Sequence, residues 1–298
     1  MGFIDQDRVE EFWDEARRAA GEEKQTGYLQ DEWPTALGLE RFRREWKEVA
    51  GWLDRLAVPG GACLDVGCGV GVWLEVLAKR FARVQGIDLS GAMVASAQAR
   101  MARLGLDHVQ VDRKSVLELD AASRYDLIFV GGVLMYLNDD VVESMIQRLG
   151  EMLTPGGVLI LRESTSSPET WYRDKPIAPG LHADPSAPRP PYKAIYRTPE
   201  SYRAAATRQG LEVVISHPNR HYKIGDMTES WLRALDRLAF GRLARRRDSA
   251  ERAARALFAL RPLTLLAPYY LIRTVAPRAW KVNNWWYVCR RARGQLTA

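Results

Sequence analysis

The segment Leu64-Asp-Val-Gly-Cys-Gly-Val-Gly71 constrains this chain more than any other. A short apolar run, Ala62–Val66, leads into glycines at 67, 69 and 71. Helical spacing follows over Val70–Phe81, with Trp73, Leu74 and Leu77 on one side. Glycine at such a turn lets the backbone approach a ligand with no Cβ in the way. The helix start beyond it offers unpaired N–H groups and a positive dipole end, which suit the carboxylate of an amino-acid cofactor as well as a phosphate. Asp65, at the strand end, can accept from an ammonium group or organise the loop. A tight strand-to-helix turn without a ligand is the plain alternative.

From Gly61 onward, apolar runs alternate with helical spacing. Further strands are expected over Arg83–Ile87, Val109–Val111, Tyr125–Val130 and Val158–Leu161, with helices over Ala92–Leu104 and Val141–Leu153 between them. Strands that alternate with helices pair in parallel through right-handed crossovers, and strands covered on both faces read as continuous apolar runs. Thr198-Pro-Glu-Ser starts another helix, with proline in its first turn, that ends at Gly210. Leu211–Ser216 and Trp285–Cys289 complete the set. The expected fold is α/β: a doubly wound, Rossmann-like, seven-stranded and mostly parallel sheet.

Residues 1–57 read as a helical extension or lid, interrupted at Pro34, in which Gly27–Trp33 is either a flap or a packed connector. Residues 58–298 form the main domain. It carries a proline-rich, irregular substrate-side loop at 163–197 and an arginine-rich helical insertion at 226–281 between strands six and seven.

Asp88 ends the second strand, 17 residues past Gly71, where an acid can accept from two ribose hydroxyls. Its carboxylate disfavours a 2′-phosphate. A dinucleotide fingerprint would put its third glycine at position 72, which is Val72, so the spacing argues against NAD.

The stretches LDVGCGVG, QGIDLSGAM, YDLIFVGGVLMYL and LTPGGVLIL, in this order over residues 61–162, resemble the class I S-adenosylmethionine (SAM)-dependent methyltransferases of the small-molecule group. The resemblance covers about a third of the chain and speaks to fold and cofactor more than to substrate. It implies that Asp65, Gly67, Cys68, Gly69 and Gly71 hold the methionine part of SAM and that Asp88 holds the ribose. It also implies that Leu89 and Met93 flank the adenine. The acid usual after strand three is replaced here by Ser115, followed by Val116, and both stay candidate adenine contacts. Gly131 and Gly132 fall beside the sulfonium, and Tyr136 where the family often places an aromatic residue or histidine.

Methyl transfer needs in-line positioning, and a hydroxyl acceptor benefits from a general base. The chain has four histidines; His217 and His221 fall near the end of strand six, at the ligand-binding edge of such sheets. Glu163, just past strand five, is a carboxylate at the same edge. The candidate catalytic residues are therefore His217, His221, Tyr136 and Glu163. The expected acceptor is a small metabolite methylated on O or N, of natural-product or sugar type. Alternatives are a membrane-surface enzyme with a lipid or isoprenoid acceptor and a SAM-binding scaffold without turnover.

Residues 220–298 hold 17 Lys/Arg against 5 Asp/Glu, within a chain of net charge +6. A basic amphipathic insertion fits a lid or homodimer contact, with anionic membrane as an alternative and no nucleic acid expected. Cys63, Cys68 and Cys289 form no paired motif. No metal site is expected, and a reducing cytoplasm fits best. No signal peptide or membrane span is read in the chain.

Overall fold

A computed structural model of the chain describes residues 2–19, 35–120, 122–174, 192–222, 228, 231, 232, 235, 236, 238, 247–259 and 282–292. The flap segment 27–33, the proline-rich stretch 175–191 and most of the 226–281 insertion lie outside the described residues.

The strands are β1 (Ala62–Val66), β2 (Arg83–Asp88), β3 (Val109–Arg113), β4 (Tyr125–Gly131), β5 (Leu153–Ser166), β6 (Trp171–Asp174), β7 (Lys193–Tyr196), β8 (Leu211–Pro218) and β9 (Val282–Arg291). The helices are α1 (Gln6–Ala19), α2 (Thr35–Arg55), α3 (Val72–Leu77), α4 (Gly91–Arg103), α5 (Asp139–Glu151), α6 (Pro199–Arg208) and α7 (Arg247–Ala259). Seven strands form one sheet in the order β3-β2-β1-β4-β5-β9-β8. The first five pair in parallel, and β9 runs antiparallel to both β5 and β8. The doubly wound, mostly parallel expectation holds.

Strand β1 is buried along its whole length and β4 along all but its last residue, as strands covered on both faces must be. One face packs β1, β4 and β5 against α5 and α6 through Ile128, Leu159, Ile146 and Tyr202. The other packs the same strands against α2, α3 and α4 through Leu127, Ile160, Trp52, Leu74 and Ala97. The buried acid of β4 is satisfied: Asp126 accepts from the Ala62 N–H at 2.8 Å and the Thr154 hydroxyl at 2.7 Å. Thr198 caps α6, with Pro199 in its first turn, as expected.

Two boundary differences bear on the site, besides the helix expected over Val70–Phe81, which spans only Val72–Leu77. Strand β5 continues to Ser166, because antiparallel pairing with β9 reaches Ser166↔Val282. Glu163 therefore lies inside the strand, and 163–197 is not irregular throughout. Its described part includes a ribbon in which Trp171 pairs with Tyr196 and Asp174 with Lys193. Strand β8 extends to Pro218, so His217 lies within it.

Candidate active site

The strand order reverses between β1 and β4, and ligands of open α/β sheets bind in the crevice beyond the strand ends at such a point. A cavity of about 910 Å³ opens there, lined from β1, β2, β4, β5 and β9 and roofed by α1 and α2.

At one end the wall is mostly backbone. Gly67, Gly69 and Gly71 all have positive φ, at 69°, 54° and 78°. The N–H groups of Gly67 and Cys68 donate to the Ile87 carbonyl at 2.8 and 3.0 Å, which folds the turn over β2. The three glycines do different work. A Cβ on Gly67 would lie 2.3 Å from Val133 Cγ2, and one on Gly71 3.2 Å from Ala97 Cβ, so both permit close packing. A Cβ on Gly69 would meet nothing within 4 Å, and Gly69 lines the cavity.

Asp88 organises this end. Its Oδ2 accepts from the Gly69 N–H and its Oδ1 from the Ser90 N–H, both at 2.9 Å. Burial lifts its pKa, opposed by those N–H groups. A carboxylate has about four lone-pair sites, so both oxygens can still accept from a diol. Asp65 lies behind the turn, fully buried, and does not line the cavity. Its Oδ2 has no hydrogen-bond partner among the described residues, and burial, with the charge of Asp88, pushes its pKa up to about 8. A buried acid in that condition is suited to a cationic group arriving from the ligand side. Leu89, Met93, Ser115 and Val116 line the cavity beyond Asp88. Ser115 caps the turn Val116–Glu118, where its hydroxyl accepts from the Leu117 N–H at 3.2 Å. Cys68 lines the cavity, but burial pushes its thiol pKa well up, so it is no nucleophile.

Past Gly131 the wall is made of side chains. Tyr136, Tyr192 and Tyr196 join through their hydroxyls at 3.0 and 3.2 Å. Burial raises the Tyr192 pKa well above its ordinary value, so this phenol stays protonated. Across from them, Arg41 and Glu45 of α2 meet Arg162 of β5. Glu45 is fully buried, yet the charges of Arg162 and Arg41 and a hydrogen bond donated by the Asn219 amide overcome its desolvation and lower its pKa.

Helix α1 closes the roof. Trp13 packs edge-on to Tyr136 with ring centres 5.5 Å apart, and Gln6 Nε2 donates to the Tyr136 carbonyl at 2.8 Å. Asp14 reaches α4, accepting from the Ser90 hydroxyl and from the Ala92 N–H.

Three proposed catalytic residues are not on the cavity wall. His217 Nε2 faces Glu48 Oε1 at 3.4 Å and its ring abuts Trp52, while His221 Nε2 faces Glu48 Oε2 at 3.7 Å. Both rings turn to α2 because that helix covers the end of β8. Glu163 is fully buried on the opposite face, where its Oε1 accepts from the Val133 and Leu134 N–H groups at 3.0 and 3.1 Å. Burial pushes its pKa up to about 7, against the pull of those N–H groups. Glu163 holds the turn that presents Tyr136; among the four candidates, only Tyr136 lines the cavity. Gly131 and Gly132 line it as well.

Residues 63–157 match a family described as a methyltransferase domain. The chain carries a class I SAM-dependent methyltransferase domain. It is 38% identical over 147 residues to the trans-aconitate 2-methyltransferase of Variovorax paradoxus (strain S110), a match covering 48% of this chain and 54% of that protein. It is 30% identical over 123 residues to the ubiquinone biosynthesis O-methyltransferase of Pseudomonas entomophila (strain L48), covering 40% and 52%. The chain thus spans about half the length of the curated relatives it matches. Among solved structures it resembles the geranyl diphosphate C-methyltransferase of Streptomyces coelicolor A3(2), solved with Mg2+, geranyl diphosphate and S-adenosyl-L-homocysteine (SAH). That match has 15% identity and a TM-score of 0.52, and covers 84% of this chain and 81% of that one, a likeness of fold.

The sequence reading missed Arg41, Glu45, Phe42, Arg162 and Asn284, which all line the cavity. One signal was available. Leu37, Arg41, Glu45, Val49 and Trp52 form a single helical stripe, and a charged pair on an otherwise apolar stripe demands partners.

Proposed function

We propose that this protein is a SAM-dependent methyltransferase acting on O or N of a small-molecule acceptor. The observation that carries the reading is one continuous cavity, running from the open backbone at Gly69 and the carboxylate of Asp88 to the tyrosines and arginines beyond Gly131. The relatives named as a ubiquinone biosynthesis O-methyltransferase and a trans-aconitate 2-methyltransferase support it. Bound SAM supplies an electrophilic methyl on sulfur. Asp88 receives the ribose hydroxyls, Asp65 acts on the ammonium group as a buried charge from behind the glycine turn, and Leu89, Met93, Ser115 and Val116 enclose the adenine. Gly132, where a Cβ would meet nothing within 4 Å, leaves room beside the sulfonium. No described histidine reaches the cavity, so positioning does most of the work, with Tyr136 orienting the acceptor through its hydroxyl.

Calorimetry tests the reading. SAH binds with micromolar affinity, NAD does not bind, and Asp88→Ala weakens SAH about a hundredfold through lost charge-assisted bonds. Protein that ignores SAH at millimolar concentration sinks the proposal. Binding without turnover over a broad acceptor panel favours the scaffold alternative.

A membrane-surface variant of the same reading is favoured by Trp231, Leu235 and Leu238, at helical spacing and with Leu238 78% exposed, within the basic C-terminal quarter. Among the described residues no helix is long and apolar enough to cross a membrane. Salt-sensitive sedimentation with vesicles of phosphatidylglycerol supports it, and no sedimentation at low salt removes it.

A further inference from the structure

Two neutral polar side chains of the cavity wall are buried but not bonded to the protein. Ser164 of β5 and Asn284 of β9 both line the cavity and are only 9% and 2% exposed. They are cross-strand partners in the antiparallel pair, so their side chains share one face of the sheet. It is the cavity face, because the neighbouring Glu163 points the other way, to the Val133 and Leu134 N–H groups. Among the described residues, neither the Ser164 hydroxyl nor the Asn284 Nδ2 makes a hydrogen bond. Buried polar atoms nearly always have a partner, so these two are set to bond what enters the cavity.

A relay of hydrogen bonds fixes which way the Asn284 amide faces. Asn219 Oδ1 accepts from the His221 and Tyr222 N–H groups at 3.1 and 3.2 Å. Those backbone groups can only donate, so the Asn219 amide nitrogen is turned to the other side. There it donates to Glu45 Oε1 at 2.8 Å and to Asn284 Oδ1 at 3.1 Å. Asn284 Oδ1 is thereby engaged, and its NH2 is the end presented. That group can only donate, whereas the Ser164 hydroxyl turns to donate or to accept. The pair therefore asks the ligand for a lone pair. A carbonyl oxygen takes both side chains as donors, and a hydroxyl takes one and gives one. An ammonium group has no lone pair and gains nothing from Asn284.

Ser164 lies two residues beyond Arg162, the register partner of Gly131, which puts its Cα about 8 Å from that of Gly131. One substituted ring fills such a span. The wall alongside is aromatic: Trp13 and Tyr192 line the cavity edge-on to Tyr136, with ring centres 5.5 and 5.8 Å from it. Flat faces of this kind suit a ring. We propose that Asn284 and Ser164 form the specificity subsite of the acceptor. They hold an uncharged oxygen, carbonyl or hydroxyl, carried across a ring from the atom that receives the methyl. This proposal rests on the methyltransferase reading and names its substrate class.

The test uses the full chain saturated with SAH and calorimetry with paired phenols. In one pair 4-hydroxyacetophenone is compared with 4-ethylphenol, which lacks the carbonyl. In the other 4-hydroxybenzyl alcohol is compared with 4-methylphenol, which lacks the second hydroxyl. Tyramine supplies the ammonium probe. At least one oxygenated phenol is expected to bind about tenfold or more tightly than its partner, and the pair with the larger ratio tells carbonyl from hydroxyl. Tyramine binds no better than 4-ethylphenol. The ratio falls to about one in Asn284→Leu and about threefold in Ser164→Ala, with SAH affinity unchanged in both. Ser164→Ala removes a hydroxyl that bonds nothing among the described residues, so it melts at or above the wild type. It decides alone if Asn284→Leu does not fold. Equal affinity within both pairs, a ratio untouched by the substitutions, tighter binding of tyramine, or no binding of any phenol at millimolar concentration overturns the proposal. So does a melting temperature about 3 °C or more lower in Ser164→Ala, which would make the hydroxyl structural. Failure of the wild type to bind SAH counts against the methyltransferase reading instead, so the two failures are told apart.

Discussion

The two ends of the cavity are built in different ways. The cofactor end is a backbone surface: three left-handed glycines, two N–H groups bonded to the Ile87 carbonyl and one carboxylate that ties Gly69 to Ser90. Its parts lie within a short span of sequence. The acceptor end is a side-chain surface assembled from α1, α2, β5, β9 and the segment 192–196, whose residues stand far apart in the chain. A backbone site tolerates little change but is specified locally. A side-chain site can be rebuilt by substitution, and its stability rests on charges that must stay matched.

The sharpest break in that comparison is at Glu45. Glu45→Ala leaves Arg41 and Arg162 buried without their carboxylate and is expected to cost about 3–5 kcal/mol, read by urea unfolding. A loss below about 1 kcal/mol would mean that water reaches the cluster. Because folding lowers the Glu45 pKa, its stabilising share is present above the unfolded value of about 4.3 and fades as pH falls through the folded one.

The glycines separate packing from binding. Gly67→Ala drives a Cβ into Val133 at positive φ and is expected to destabilise the fold by about 2–3 kcal/mol. Gly69→Ala meets open space, so it costs only the left-handed strain of about 1–2 kcal/mol. Its main effect is on SAH affinity, about tenfold. Equal effects of the two substitutions on melting and on binding would erase the distinction.

Asp65 gives a smaller signal that reads pH. Folding raises its pKa to about 8, from about 3.9 in an unfolded chain. Below the unfolded value the group is neutral in both states and costs nothing. As pH rises towards 8 the folded state keeps a proton that the unfolded chain has lost, so stability declines over that window. Asp65→Asn removes the decline. An ammonium group held at the glycine turn in front of Asp65 favours the carboxylate, so SAH binding near pH 7 releases up to about one proton. Calorimetry in two buffers of different ionisation enthalpy measures it, and no release between about pH 6 and 8 ends the ammonium assignment.

The smallest effect tests the roof. Asp14→Ala removes the bonds from α1 to Ser90 and Ala92 and is expected to cost about 1 kcal/mol, with faster amide exchange in α1 than in β4. Uniform protection across both elements would show that α1 is held by its apolar contacts, Trp13 against Tyr136 and Phe12 against Tyr192, rather than by this cap.

How much could be read in advance follows the same division. The strands and the helix start at Thr198 were legible, and the helix expected from Val70 begins two residues later at Val72, because periodicity, proline and glycine act over a few residues. The extension of β5 through Glu163 to Ser166 was not, because it depends on pairing with β9, over a hundred residues later. The same is true of the histidines. His217 and His221 stand at the expected sheet edge, yet their direction is set by Glu48 of α2.

The order of residues alone therefore carried the doubly wound sheet, the glycine turn and the acid at position 88, since each depends on local backbone preference or on the period of burial. Which charged groups share the cavity with that turn was settled by packing. Arg41 and Arg162 meet over one carboxylate only because α2 lies across β5 and β9, and no local rule of sequence encodes which distant faces touch.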